Sequence, residues 1–185
     1  GAPLSPELAT WFEAIGIAVR EGWGLSETTA PATANGIEVF RFGSVGMPLD
    51  GTEVMVAEDG EILVRGPGIF QGYLKDDEST TAAFTEEGFF KTGDLGVIDE
   101  GFVSIVGRKK ELIITASGKN IAPIPIEHAA AGGLIGRVIV VGDNRPYLTA
   151  ILTPNVDVFT SRAETEEWDG TRQDWCKRDD VIAEI

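Results

Sequence analysis

Four short segments of this 185-residue sequence carry residue types able to handle an anionic nucleotide: Gly1-Ala2-Pro3-Leu4, Gly22-Trp23-Gly24-Leu25-Ser26-Glu27-Thr28, Phe89-Phe90-Lys91-Thr92-Gly93-Asp94, and Gly107-Arg108-Lys109-Lys110-Glu111-Leu112-Ile113-Ile114 followed by Ser117-Gly118-Lys119-Asn120-Ile121. In the second, glycines let backbone approach phosphate, Ser26 and Thr28 offer hydroxyls, and Glu27 offers oxygen to magnesium, a hard cation. Trp23 presents a flat apolar face on which a base can lie. Thr92-Gly93-Asp94 reads as a turn whose aspartate can accept hydrogen bonds from a diol such as ribose. Arg108 brings a fork of donors suited to ribose oxygens or phosphate. Taken singly, the segments read more readily as a glycine-containing loop with a buried tryptophan, ordinary turn chemistry, and a solvated basic patch.

The order and spacing of the four segments change that balance. Together they resemble the adenylate-forming superfamily of acyl-CoA synthetases, luciferases and peptide-synthetase adenylation domains, over about residues 1 to 155. Gly24-Leu25-Ser26-Glu27-Thr28, Lys109-Lys110-Glu111 and Gly118-Lys119-Asn120-Ile121-Ala122-Pro123 are most similar to the long-chain fatty acyl-CoA synthetases. The resemblance implies that Gly1, Ala2 and Pro3 line an adenine pocket, with Trp23 beside the base and Gly24 in the nucleotide loop. It implies that Ser26 contacts the AMP phosphate, Glu27 helps hold Mg2+, and Asp94 binds both ribose hydroxyls with Arg108 in support. Lys110 matches a hinge residue, and Gly118 matches backbone lining a pantetheine tunnel. The implied reaction uses ATP, a fatty acid and coenzyme A, by way of an acyl-AMP. A carrier protein in place of coenzyme A, or a non-catalytic nucleotide-binding or docking role, are the competing readings.

Elements to position these residues can be traced along the chain. Ser5-Pro6-Glu7 is a helix start with Ser5 placed to cap and Pro6 at the first helical position. Leu8, Trp11, Phe12 and Ile15 follow at helical spacing and Gly16 can end the helix. Ile17 to Arg20 reads as a short strand feeding the glycine-rich segment, and residues 39 to 66 as strand-like. Within them Glu53–Ala57 and Glu61–Arg65 flank Glu58-Asp59-Gly60 as a hairpin. A short helix from Asp76 or Asp77 to about Phe84 precedes more strands after Gly88. Beyond Arg108-Lys109-Lys110-Glu111, the pattern predicts a strand, a turn at Ser117-Gly118, a helix from Ile126 to Ala131, strands at 138–141 and 148–152, and a solvated helical tail with one face docked.

Composition narrows the function classes. The net charge of −15 lacks the basic stripe that phosphate-backbone binding needs, so nucleic acid is not an expected partner. Local backbone N–H groups and a metal still suffice for ATP. Cys176 is the lone cysteine, which excludes an internal disulfide and suggests a reducing cytoplasm. It reads as an incidental residue, as does the sole histidine, His128, on a helix surface. No apolar run approaches the roughly 20 residues of a membrane span, although peripheral membrane contact suits a long-chain acid. The start at Gly1 and the lack, in these residues, of a Ser/Thr/Gly-rich phosphate loop and of the family's catalytic lysine lead to the expectation of a partial enzyme, inactive alone and lacking an amino-terminal portion. Lys177 lacks the glycine-containing loop that lysine requires.

The expected architecture is mixed α/β. Residues 1–107 form the end of a large AMP-binding domain, including a barrel-like antiparallel subdomain. Residues 108–185 form a small hinged α/β domain, with the hinge at 108–111.

Overall fold

A computed structural model describes Leu4 and residues 6–185. Gly1, Ala2, Pro3 and the expected cap Ser5 lie outside the described residues. The chain is of mixed α/β class and divides after Lys110 into two compact units, Gly1–Lys110 and Glu111–Ile185.

In the first unit, helix α1 spans Pro6–Ala14. It buries Ala9, whereas Leu8, Trp11 and Ile15 stay exposed, Trp11 by 56%. The chain then departs from expectation: residues 17–20 form no strand, because no neighbouring strand among the described residues completes a ladder with them. Three two-residue strands follow, β1 (Gly22–Trp23), β2 (Thr33–Ala34) and β3 (Met47–Pro48), paired antiparallel in that order. Residues 39–46, expected as strand, are turns and bends. Here Asn35 takes over the backbone groups that a ladder would use: Nδ2 donates to the Ser44 carbonyl at 2.7 Å and Oδ1 accepts from the Arg41 amide at 2.9 Å.

The main sheet of this unit is a curled antiparallel half-barrel of β4 (Glu53–Val56), β5 (Glu61–Arg65), β6 (Phe90–Asp99) and β7 (Phe102–Arg108), in that order. The expected hairpin at Glu58-Asp59-Gly60 joins β4 to β5. Edge strand β4 alternates exposed and half-buried residues, whereas β5 is buried along most of its length. Ile62 and Val64 are fully buried and pack with Ala32, Phe90 and Val103. Helix α2 (Asp77–Ala82) starts where expected, its N-cap Asp76 accepting from the Ser79 amide at 2.9 Å.

The second unit opens with β8 (Ile113–Ile114) and β9 (Asn120–Ile121), a small hairpin. Helix α3 covers Pro123–Ala130, starting three residues before the expected Ile126 because Pro123 sits at its first turn, where the missing N–H costs nothing. It packs on β10 (Ile135–Val141), which pairs with β11 (Thr149–Pro154). Helices α4 (Val156–Thr165), α5 (Arg172–Trp175) and α6 (Asp179–Glu184) complete the unit. Leu134, Phe159, Ala163, Trp168 and Val181 form their shared core, with Trp175 half-buried against it. The acidic tail is thus helical with one docked side. No helix among the described residues is long and apolar enough to cross a membrane.

Candidate active site

The centre of the site is an irregularity in β6. Leu63 pairs with Lys91, yet Glu61, two residues back on β5, pairs with Leu95, four residues on along β6. Thr92-Gly93-Asp94 is therefore a bulge inside a continuous strand and not the expected turn. Gly93 adopts φ +72°, a conformation that favours glycine. Three contacts hold the bulge. Thr92 Oγ1 donates to the Ile62 carbonyl at 2.7 Å and accepts from the Asp94 amide at 3.1 Å, and Glu61 Oε1 accepts from the Gly93 amide at 2.9 Å.

The bulge aims Asp94 at two donors from distant parts of the chain. Asp94 is only 3% exposed. Its Oδ2 accepts from Trp23 Nε1 at 2.8 Å, and its Oδ1 lies 3.0 Å from Arg108 Nε, whose side chain remains 45% exposed. A buried carboxylate needs such partners to remain charged. Each oxygen has two acceptor positions, so each keeps one for a further donor. Thr92, Gly93, Arg108, Lys109 and Lys110 line an open cleft of about 380 Å³ beside the bulge, large enough for a small polar ligand.

The glycine-rich segment is built around β1 and a 3-10 turn, Ser26–Thr28. A Cβ on Gly24 would fall 2.2 Å from the Ala30 carbonyl oxygen and 2.9 Å from Thr28 Oγ1, so the loop closes only over glycine. Thr28, considered above as a ligand hydroxyl, is instead buried; its Oγ1 accepts from the Leu25 amide at 2.8 Å and lies 2.8 Å from the Ala30 carbonyl as donor. Ser26 is exposed beside it. Glu27 is half-buried, and its Oε1 accepts from Tyr73 Oη at 3.0 Å. Burial, and then the Glu27 carboxylate, push the Tyr73 hydroxyl above its ordinary pKa, so Tyr73 stays a donor at neutral pH. No group of three or more potential metal-ligating side chains occurs among the described residues. Glu27, a half-buried carboxylate, is of the type magnesium accepts, the ion being commonly held by one or two carboxylates with substrate phosphates supplying the rest.

The structure brings Trp23, Asp94 and Arg108 together by direct contact, and Arg108 and Lys110 both line the cleft beside them. Ser26, Gly24 and Glu27 share the loop that begins at Trp23. Gly118 belongs to the second unit, in the turn closed by the Gly118 amide on the Thr115 carbonyl at 2.8 Å. Two residues escaped the sequence reading. Glu61 and Tyr73 hold the bulge and Glu27 respectively, and neither sits in a segment whose composition hints at a site. Glu61 was legible only as the first residue after a hairpin turn.

Comparison with known proteins decides the family. The AMP-binding enzymes match residues 1–74, and the AMP-binding enzyme C-terminal domain matches residues 110–172. The chain belongs to the AMP-binding enzymes. Among characterised AMP-binding enzymes, the chain is 41% identical to the long-chain-fatty-acid–CoA ligase FadD15 of Mycobacterium bovis, over 100% of its own length and 31% of that protein. The chain thus spans about a third of the length of the curated relatives it matches. Among solved AMP-binding enzymes, it is similar to O-succinylbenzoate coenzyme A synthetase (MenE) of Bacillus subtilis in complex with ATP and magnesium ion. The TM-score is 0.72 at 27% identity, covering 88% of this chain and 38% of that one. ATP-bound MatB of Rhodopseudomonas palustris gives a TM-score of 0.67 at 37% identity, covering 83% and 33%.

Proposed function

We propose that this chain forms the ribose-binding and hinge-bearing part of an ATP-dependent long-chain fatty acid–CoA ligase. The observation that carries the reading is Asp94: a buried carboxylate, raised on a bulge, with one oxygen tied to Trp23 and the other to Arg108. The remaining acceptor position on each oxygen suits the two neighbouring hydroxyls of a ribose. The long-chain acid as substrate rests on relatives such as FadD15.

In this reading the acid carboxylate attacks the α-phosphorus of ATP, and the bond to pyrophosphate breaks. The coenzyme A sulfur then attacks the acyl carbon, losing its proton, and AMP leaves. Magnesium, when bound, offsets the charge of the departing pyrophosphate. Glu27 offers an oxygen to it while Tyr73 holds the other end of the carboxylate. Ser26 donates to the nucleotide phosphate. Arg108 lines the cleft with its side chain about half exposed, and its nitrogens not engaged with Asp94 stabilise the negative charge of AMP. Trp23 fixes Asp94 and offers the remainder of its ring to the base, with Gly1, Ala2 and Pro3 completing that pocket. Lys110 is the pivot about which the second unit turns between the two steps, bringing Gly118 to the pantetheine arm. The enzyme acts in the cytoplasm, in peripheral contact with membranes where its substrate partitions.

The test is an assay of the full-length protein with a sixteen-carbon fatty acid, ATP, magnesium and either coenzyme A or a carrier protein. Acyl-CoA and AMP in equal amounts support the reading. Acyl-AMP that reacts only with the carrier, or a fatty acid that elicits no ATP cleavage, sinks it. The 185 residues alone are expected to yield no acyl-AMP.

A further inference from the structure

Lys109, between the arginine on Asp94 and the proposed pivot, is held as firmly as its neighbour is free. Its Nζ lies 2.6 Å from Asp59 Oδ2 and 2.8 Å from Glu61 Oε2. Glu61 is only 6% exposed, and its second oxygen accepts from the Gly93 amide. One buried carboxylate therefore touches both the bulge beneath Asp94 and the last residue before Lys110. Lys110, exposed like Lys109, makes no ion pair among the described residues.

We propose that Asp59 and Glu61 form a latch on Lys109 that fixes the connector to the first unit, so that free rotation begins at Lys110. Glu61 is also a positioning residue for Asp94, because the same carboxylate shapes the bulge. The inference rests on the proposed function for its purpose, though not for its geometry. A pivot works only if the chain on one side of it is immobile. β7 ends at Arg108 and a single 3-10 turn, Lys109–Glu111, follows, so no strand partner restrains residue 109. The two carboxylates supply that restraint through the side chain. Removing either is expected to lengthen the mobile connector by one residue, and removing Glu61 is expected to loosen Asp94 as well.

Trypsin reads the latch directly, since a lysine engaged by two carboxylates is withheld from the protease and a released one is not. The full-length protein and its Glu61→Gln, Glu61→Leu and Asp59→Asn variants would be digested briefly. Cleavage after Lys109 would be normalised to cleavage after exposed Lys75 in the same unit, which cancels global destabilisation. Glu61→Gln is expected to raise that ratio about fivefold or more, and Asp59→Asn, at an exposed site, about twofold. AMP affinity, titrated separately, is expected to fall several-fold further in Glu61→Leu than in Glu61→Gln, which keeps an acceptor for Gly93. Asp59→Asn guards against a Glu61 variant that does not fold. Unchanged ratios in the variants that fold overturn the latch. A raised ratio with equal AMP affinity in Glu61→Leu and Glu61→Gln overturns the link to Asp94. If the unsubstituted protein itself binds no AMP, the proposed function fails while the cleavage ratios still decide the latch.

Discussion

The two units bury their apolar residues alike and treat polar ones differently. Among the described residues, the buried polar side chains of the first unit are Thr28, Thr33, Ser44, Glu61, Thr92 and Asp94, whereas the second unit has Thr115 alone. None of the buried side-chain polar atoms among the described residues lacks a hydrogen-bond partner. Burying such groups is costly unless they are bonded, and here most of them shape backbone. Thr28 closes the glycine-rich turn, and Thr92 and Glu61 hold the bulge. In the second unit the charged groups sit outside, in pairs such as Arg162 with Glu166 and Arg178 with Asp180, which contribute little to stability. Its apolar residues pack in two clusters, one around Phe159 and Trp168 and one of Ile113, Val138 and Val140. The first unit therefore depends on polar geometry for its site, and the second on hydrophobic packing for its shape.

That contrast is open to direct attack. The largest expected effect is Phe159→Ala, which empties the helical cluster of the second unit and should destabilise those helices by about 3–5 kcal/mol. In the full-length protein, hydrogen exchange should report the loss in α4 and α6 while AMP affinity by calorimetry stays put. A parallel fall in AMP affinity would break the separation. Next in size is Asp94→Ala. Hydrogen bonds to a charged group are worth about 1.5–3 kcal/mol, so AMP affinity should fall at least tenfold, with the second unit's exchange untouched. Smaller again is Gly24→Ala. The added Cβ would overlap the Ala30 carbonyl, and the overpacking should cost about 1–3 kcal/mol, read as a lowered melting temperature.

How far the sequence disclosed these features follows the same division. Elements governed by local rules were legible: the Glu58-Asp59-Gly60 hairpin, the Asp76 cap of α2 and the docked side of the helical tail. Ile17–Arg20 reads as strand by composition, but a strand exists only through a partner, and pairing is not a local property. Residues 39–46 failed for the opposite reason, since Asn35 draws their backbone away from a ladder. Asp94 and Arg108 stand out in the sequence only through the resemblance of the ordered segments to the adenylate-forming enzymes; singly they read as turn chemistry and a solvated basic patch. That Gly93 makes a bulge and not a turn depends on Glu61, thirty-two residues earlier. Thr28 reads in sequence as a ligand hydroxyl, because a hydroxyl in a glycine-rich loop looks the same whether it faces outward or, as here, closes the turn. Buried polar groups that act on distant backbone leave no local signature.

The smallest expected effect concerns pH, and it separates the latch from its surroundings. Lys109, and then the Glu61 amide, hold the Asp59 carboxyl below its ordinary value near 3.8. A carboxyl whose pKa is lowered by folding lends stability that is fully present above the unfolded value and is lost as pH falls through the folded one. Asp59 and Glu61 raise Lys109 above its ordinary 10.5. That contribution is present below the unfolded value and lost as pH rises through the folded one. The latch should therefore be level from about pH 5 to 9 and weaken only at the two extremes. Asp174 and Asp180 in the second unit are also lowered, by Thr171 and Arg178, so a bare acid melt cannot assign the loss. The difference in melting temperature between the unsubstituted protein and Asp59→Asn removes those terms. It should be small and constant near neutrality, because both partners are about half exposed, and should shrink towards zero below about pH 4. A difference that grows as pH falls below about 4, or one that titrates between pH 6 and 8, would mean that the Asp59–Lys109 pair is not what restrains the connector.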